Sequence, residues 1–343
     1  MGSLIKSDSN FSVVVTSISS PNLALKKIAE GSLVRKCSFY VIGDRNSPLN
    51  FQLDGCRYVS LSEQKKLSLK LAQVAPENHY SRKNIGYLLA IKNGAQVIVE
   101  TDDDNIPLKR FWSKRSQSQN VSQIDHGSWL NAYAFFIDRN IWPRGYPLEY
   151  LRNGSPSKRS GFLTKVNSPI QQGLANNNPD VDAVFRMTQK LPFTFNKASS
   201  IALGARTWCP FNSQNTTWFK DAFPLLYLPS YCSFRLTDIW RSFVAQRIAW
   251  TCGWNILFHD PTVYQERNEH NLLKDFKDEI DGYINNAQIC KTLNKLELRD
   301  GTEYIFTNLR TCYEEMVKHG WISDIHELSL LDSWIEDITS LGL

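Results

Sequence analysis

Apolar and polar positions alternate in short blocks through the first hundred residues, and the blocks read as strands and helices in turn. Val13-Val14-Val15-Thr16-Ser17 is a β-branched run and predicts a first central strand. Ser19-Ser20-Pro21 predicts a helix start, with Leu23, Leu25, Ile28 and Ala29 along the helix. Residues 38–44 predict a second strand that ends in a Gly43-Asp44 turn, and Tyr58-Val59-Ser60 a third. A helix is expected over about 61–74 and another over 80–90, the latter polar and basic at its start and apolar in its body. It delivers the chain into Val97-Ile98-Val99, a buried strand that runs out into Asp102-Asp103-Asp104 before Pro107 stops it. The order β-α-β-β-α-α-β predicts an α/β fold, a Rossmann-like half with a mostly parallel central sheet flanked by helices.

Beyond Pro107 the pattern is less regular. Residues 129–136 read as strand or loop, 142–147 are dense in turn formers, and 152–160 form a basic loop expected to be mobile. Residues 170–174 and 176–183 read as polar loops. Helical spacing returns over 235–250, after Thr237-Asp238, and from 271 to the end, where Leu272, Phe276 and Ile280 share a face. We therefore expect a catalytic domain over 11–270 and a helical C-terminal extension over 271–343. The extension would pack on that body or serve an oligomer contact.

Composition narrows the function classes. With 343 residues and 42% apolar content the chain can bury a large core. A net charge of +5, without a Lys/Arg block, suits anionic ligands and predicts no nucleic-acid partner. The seven cysteines are scattered singly, which points to a reducing compartment and away from disulfides or zinc. No secretory leader, myristoylation pattern or apolar run of membrane-spanning length is seen, so a cytoplasmic protein without a transmembrane segment is expected. No G-x-G-x-x-G or Walker A sequence occurs, which argues against dehydrogenases and P-loop NTPases.

The acidic trio carries the sharpest chemical signal. Adjacent carboxylates repel, so this strand end calls for a cation, and Mg²⁺ or Mn²⁺ with a bound phosphate is the usual answer. A solvated acidic turn is the plain alternative. Strand carboxyl ends of open α/β sheets are where ligands bind, which favours the site.

Arg82-x-Asn84-x-Gly86 followed by Asp102-Asp103-Asp104 resembles the nucleotide-sugar half of GT-A glycosyltransferases. The segments 100–105, Trp142-Pro143-Arg144-Gly145-Tyr146-Pro147 and 170–176, running into Pro179-Asp180-Val181-Asp182-Ala183, resemble the STELLO-type glycosyltransferases over roughly residues 11–270. More distantly the chain is similar to the reversibly glycosylated polypeptides, which are UDP-arabinopyranose mutases. They share the triple Asp, the R-G-Y-P segment with a second Arg nearby (Arg152 here), and a helix start like Asp238-Ile239-Trp240. Their W-H pair corresponds to Tyr264-Gln265, so a His ligand is missing at that place.

The resemblance implies a metal-dependent glycosyltransferase. It would move a sugar from a nucleotide-sugar, UDP-linked, to a carbohydrate or other hydroxyl acceptor, in surface polysaccharide synthesis. The alternatives are a mutase or self-glycosylating protein and a non-catalytic nucleotide-sugar-binding partner. In this scheme Asp102 and Asp104 hold Mn²⁺ or Mg²⁺, with Asp102 also near the donor, and Asp103 points away because strand neighbours alternate. Arg82 and Asn84 meet the diphosphate at a helix N-terminus. Thr16, Ser17 and Asp44 stand at strand ends for base and ribose, although Gly-Asp is also a common turn. Asp238 is the candidate catalytic base, with helix capping as its competing role. Arg144 binds diphosphate or becomes glycosylated; Gln171, Gln172 and Asp182 line the acceptor pocket. His259 and His270 are candidates to complete the metal shell.

Overall fold

The computed structural model describes residues 10–153, 161–266 and 271–343. Residues 154–160 of the expected basic loop, and His270, lie outside the described residues. Strands β1 (Phe11–Thr16), β2 (Ser38–Ile42), β3 (Arg57–Val59) and β4 (Val97–Thr101) form a parallel block in the order β3-β2-β1-β4. Its strands are apolar on both faces because both are covered. Val13 and Val15 pack with Leu25, Ile28 and Ala29 of α1 (Leu23–Arg35), and Val14 packs on the other side. The helix does not start at the Ser-Ser-Pro segment. Asn22 caps it, accepting from the Leu25 amide at 3.0 Å, and Leu23 is left exposed.

The single helix expected over 61–74 is two short ones, α2 (Leu61–Gln64) and α3 (Lys70–Val74). Ser60 and Glu63 close a capping box that fixes the start of α2. The helix α4 (Lys83–Lys92) is almost wholly buried and lies close on the sheet at Gly86, where a Cβ would sit 2.5 Å from Val14 Cγ1.

The sheet continues with β5 (Asn105–Pro107), β6 (Ser118–Ile124), β7 (Phe162–Asn167), β8 (Ile170–Asn176), β9 (Ile201–Leu203), β10 (Asn215–Phe219) and β11 (Ile256–Gln265). The order runs β4-β10-β8-β11-β9-β6-β7, and β5 pairs with β11. Strands β1 to β4, β7, β8 and β11 point one way and β5, β6, β9 and β10 the other, so the described sheet is mostly parallel. Residues 170–175 are therefore a buried strand and not a polar loop. Their glutamines satisfy neighbouring backbone instead of meeting solvent. Residues 129–136 contribute only a bridge, Trp129 to Trp208, and a 3₁₀ turn over Ala132–Phe135.

Helices α5 (Ala183–Thr188) and α6 (Thr237–Thr251) lead to α7 (Leu272–Lys295), α8 (Ile305–Lys318) and α9 (His326–Ser340). The buried face of α7 is Asp275, Glu279, Gly282, Asn286, Ile289, Cys290 and Leu293. Ile280, expected on it, is exposed, because the first half of the helix is seated by polar pairing rather than apolar packing. Glu279 accepts from the Ala183 amide at 2.7 Å and from Arg235, and Asn286 bridges Trp240 and the Gly145 carbonyl, both at 2.9 Å. In α9, Glu327 accepts the Ser230 and Tyr231 amides and Asp337 those of Lys70 and Leu71, all at 2.8 Å. The tail is thus packed on the body. Among the described residues no helix is long and apolar enough to cross a membrane.

Candidate active site

A cleft of about 310 Å³ opens beyond the carboxyl ends of β1, β2 and β4. Its walls include Thr16, Ser17, Asp44, Arg82 and the acidic trio on one side, with Arg144, Asp180 and Asp238 on the other. Most of the predicted residues therefore share one cavity, at the place where open α/β sheets bind ligands.

The trio leaves β4 as a turn, so its three side chains do not alternate as strand neighbours would. Asp102 accepts from Tyr80 Oη at 2.9 Å and lies 3.4 Å from the ammonium of Lys83, a lysine with no solvent exposure. Burial pushes the Asp102 carboxyl up to about 7; Lys83 pulls it down and Asp104 adds to the rise. Asp103, expected to point away, also lines the cleft. Ser17 Oγ donates to its carboxylate at 2.5 Å, and Asn22 holds its carbonyl at 2.7 Å. Gln265 donates to Asp104 at 3.0 Å, from the position where a His ligand is missing.

Asp44 spends its carboxylate on backbone amides, those of Asn78 at 2.8 Å and His79 at 2.9 Å, which ties the end of β2 to the turn before α4. Arg82 is buried, with Nε on Gln64 at 2.8 Å and Nη1 on the carbonyls of Ala75 and Pro76. Its Nη2 is buried without a hydrogen-bond partner, and the residue lines the cleft. Asn84 is placed elsewhere. It clasps the Leu228 backbone, giving and taking one hydrogen bond at 2.9 Å, and does not reach the cleft.

On the opposite wall Arg144 forks onto Asp180 with two contacts of 2.8 Å and reaches Asp238 at 2.9 Å. Asp238 also accepts the Ser213 amide at 3.0 Å and its hydroxyl at 3.1 Å. Burial would raise this carboxyl, but Arg144 above all, with the Ser213 amide, holds it down to about 2. Asp238 sits in the first turn of α6 but is not its N-cap, so capping does not explain it.

The expected acceptor-pocket residues lie away from the cleft. Gln171 donates to the carbonyls of Ser116 and Ser168, and Gln172 accepts the Asn212 amide inside the sheet. Asp182 caps α5 and accepts from Trp142 at 2.6 Å. His259 is buried against the Asp260 carbonyl and is not part of the cleft. Sequence reasoning missed Tyr80, Lys83, Asp180 and Ser213. For Tyr80 and Lys83 the signal was their place beside Arg82 and Asn84; Ser213 carried none.

Asp102 and Asp104 offer oxygen donors on one cleft, the chemistry a hard divalent ion takes. No group of three or more His, Cys, Asp or Glu is gathered into a metal cage among the described residues. Mg²⁺ and Mn²⁺ commonly bind through one or two carboxylates with phosphate and water, so this donor set fits them. The raised Asp102 carboxyl fits too, since Lys83 alone leaves its charge under-compensated.

Fold and cleft together define an α/β protein with an acidic cleft at its strand ends. Residues 235–343 match the family model described as STELLO glycosyltransferases. Over 96% of its length the chain is 28% identical to two Arabidopsis thaliana proteins, "Probable glycosyltransferase STELLO2" and "Probable glycosyltransferase STELLO1". The match covers 45% and 44% of those proteins, so the chain spans less than half their length. The chain is thus similar to proteins named as probable glycosyltransferases over nearly its whole length. Among solved structures, one described as a mycobacterial protein overlays with a TM-score of 0.43 and 10% identity, covering 83% of this chain and 76% of that one, too loosely to carry an argument.

Proposed function

We propose that this chain is a GT-A-type glycosyltransferase that moves a sugar from a UDP-linked donor to a carbohydrate hydroxyl, with Mn²⁺ or Mg²⁺ as cofactor. The observation that carries the reading is the facing of two charged walls across one cleft: the acidic trio with Ser17 and Arg82, and the Arg144–Asp180–Asp238 cluster. The relationship to proteins named as probable glycosyltransferases supports it.

In this reading Thr16 and Ser17 at the end of β1 meet the nucleoside, above a floor that Asp44 ties together. The unpartnered Nη2 of Arg82 takes a donor oxygen. Asp102 and Asp104 would hold the divalent ion, which supplies charge neutralisation for the departing diphosphate. Asp238 accepts a hydrogen bond from the acceptor hydroxyl. As the bond from anomeric carbon to acceptor oxygen forms and that to phosphate breaks, the acceptor proton passes to Asp238. Arg144 and the Ser213 amide hold this carboxyl low and make it a weak base, so the transfer comes late, once the acceptor oxygen has turned acidic.

Arg144 supports transfer to an outside acceptor over self-glycosylation. All three of its side-chain nitrogens are engaged, by Asp180, Asp238 and the Arg235 carbonyl, and it is 6% exposed. Incubation with UDP-sugars and Mn²⁺, followed by assay of free UDP and of the sugar, tests the reading. UDP release with the sugar in a new glycosidic bond is expected. An isomerised UDP-sugar, or binding without turnover, would overturn it.

A further inference from the structure

Two hydroxyls join the facing walls. Asp102 Oδ1 lies 2.9 Å from Tyr80 Oη, Tyr80 Oη 2.6 Å from Ser213 Oγ, and Ser213 Oγ 3.1 Å from Asp238 Oδ2. Neither hydroxyl is free to drift. Lys83 Nζ donates to Tyr80 Oη at 2.7 Å and lies over the ring, and Phe234 meets that ring edge-on at 5.6 Å. Ser213 is 2% exposed and its amide is bonded to Asp238.

The proton count is the telling feature. With both carboxylates ionised, three oxygen–oxygen contacts have only the two hydroxyl protons to share. If Tyr80 donated to Asp102 and Ser213 to Asp238 at once, the 2.6 Å contact between them would hold no proton, and two lone pairs would face each other. The pair must therefore be polarised one way. Either Ser213 donates to Tyr80 and Tyr80 to Asp102, or Tyr80 donates to Ser213 and Ser213 to Asp238. Lys83 serves both states, because Tyr80 Oη can accept its proton in either.

We propose that Tyr80 and Ser213 form a two-state hydroxyl relay that couples occupancy of Asp102 to the hydrogen bonding of Asp238. This rests on the donor-site reading above. In the unloaded site the relay points at Asp102, whose charge most needs a donor. A cation that occupies Asp102 removes that demand, and both hydroxyls turn toward Asp238. Its Oδ2 then holds three donors, which locks the carboxylate with Oδ1 left for the acceptor hydroxyl. The donor thereby readies the acceptor wall before an acceptor arrives. Tyr80 and Ser213 are positioning residues, and no bond is made or broken at either.

The test compares the full chain with Tyr80→Phe, Ser213→Ala, Ser213→Thr and the Tyr80→Phe/Ser213→Ala double variant. UDP with Mn²⁺ is titrated by calorimetry, and UDP release from the best-processed UDP-sugar is measured below each variant's thermal midpoint. Each of Tyr80→Phe and Ser213→Ala should lower kcat about tenfold with the donor KM within about twofold, and the double variant should be no slower than the slower single one. Ser213→Thr, which keeps a hydroxyl, should recover most of the rate. Losses that multiply in the double variant, or a Ser213→Thr variant as slow as Ser213→Ala, would overturn the relay alone. Failure of the unaltered chain to bind UDP with Mn²⁺ would overturn the donor-site reading and the relay with it.

Discussion

Arg241 of α6 forks onto Glu100 of β4 in the protein interior, with nitrogen–oxygen distances of 2.7 and 2.9 Å. Glu100 is two residues before Asp102, and Arg241 is about one helical turn beyond Asp238. This pair therefore ties the strand that leads into the acidic trio to the helix that carries Asp238. Trp218 Nε1 at 2.8 Å and Tyr87 Oη complete the carboxylate's shell. Arg241→Met should cost about 3–5 kcal/mol, because it leaves Glu100 buried without its counter-charge. Urea unfolding reads this directly. An unchanged midpoint would show that the fork does not hold the walls together.

Gly86 fixes how closely α4 lies on the sheet. Gly86→Ala puts a methyl group 2.5 Å from Val14 Cγ1 and 2.8 Å from Ile42 Cγ1, both in the core. The helix must lift or the side chains must repack, at about 1–3 kcal/mol. Because Arg82 stands at the head of α4, UDP affinity should fall along with the thermal midpoint. A lower midpoint with undisturbed affinity would separate the helix seat from the cleft.

Asp44 links two loops through the amides of Asn78 and His79. Asp44→Ala leaves those donors without their acceptor, and UDP binding should weaken by about tenfold, the worth of one such charge-assisted bond. Asp44→Asn, which keeps one acceptor oxygen, should fall between. Calorimetry with UDP and Mn²⁺ checks the order of the three proteins, and equal affinities would remove Asp44 from the floor of the site.

Asp182 gives stability a pH dependence of definite sign. Burial pushes its carboxyl from the ordinary 3.8 up to about 7, against the Phe185 amide and Trp142. The folded state binds the extra proton between those values, so its contribution is full below about pH 4 and is lost as pH rises toward 7. The loss is on the order of 4 kcal/mol at about 1.4 kcal/mol per unit. Unfolding of D182N at pH 5 and pH 7.5 should show a smaller drop between the two than the unaltered chain shows. An equal drop would place the proton elsewhere.

The parts legible in the sequence were those with local periodicity. The β1 and β4 runs, the basic start of α4 and the acidic turn each announce themselves within a dozen residues. Gln171 and Gln172 read as loop residues because a strand buried on both faces can hide polar side chains that satisfy backbone. The inner face of α7 went unread for the same reason, since Asp275, Glu279 and Asn286 are buried by pairing and not by hydrophobicity. Ser213 reaches Tyr80 across 133 positions of chain, and no periodic pattern records a contact of that kind. Strand alternation, which predicts that Asp103 points away, does not extend past Thr101, where the strand ends.

Three acidic side chains, Glu279, Glu327 and Asp337, bolt the last helices to amides and a guanidinium of the body. The loop that Glu327 grips runs on to Phe234 and Arg235 at the cleft mouth. Such a tail cannot swing loose as an appendage without leaving the amides of Lys70, Leu71, Ala183, Ser230 and Tyr231 and the Arg235 guanidinium without their acceptors. Wherever this chain is cut or fused, the cleft and its rearmost helices travel as one mechanical piece.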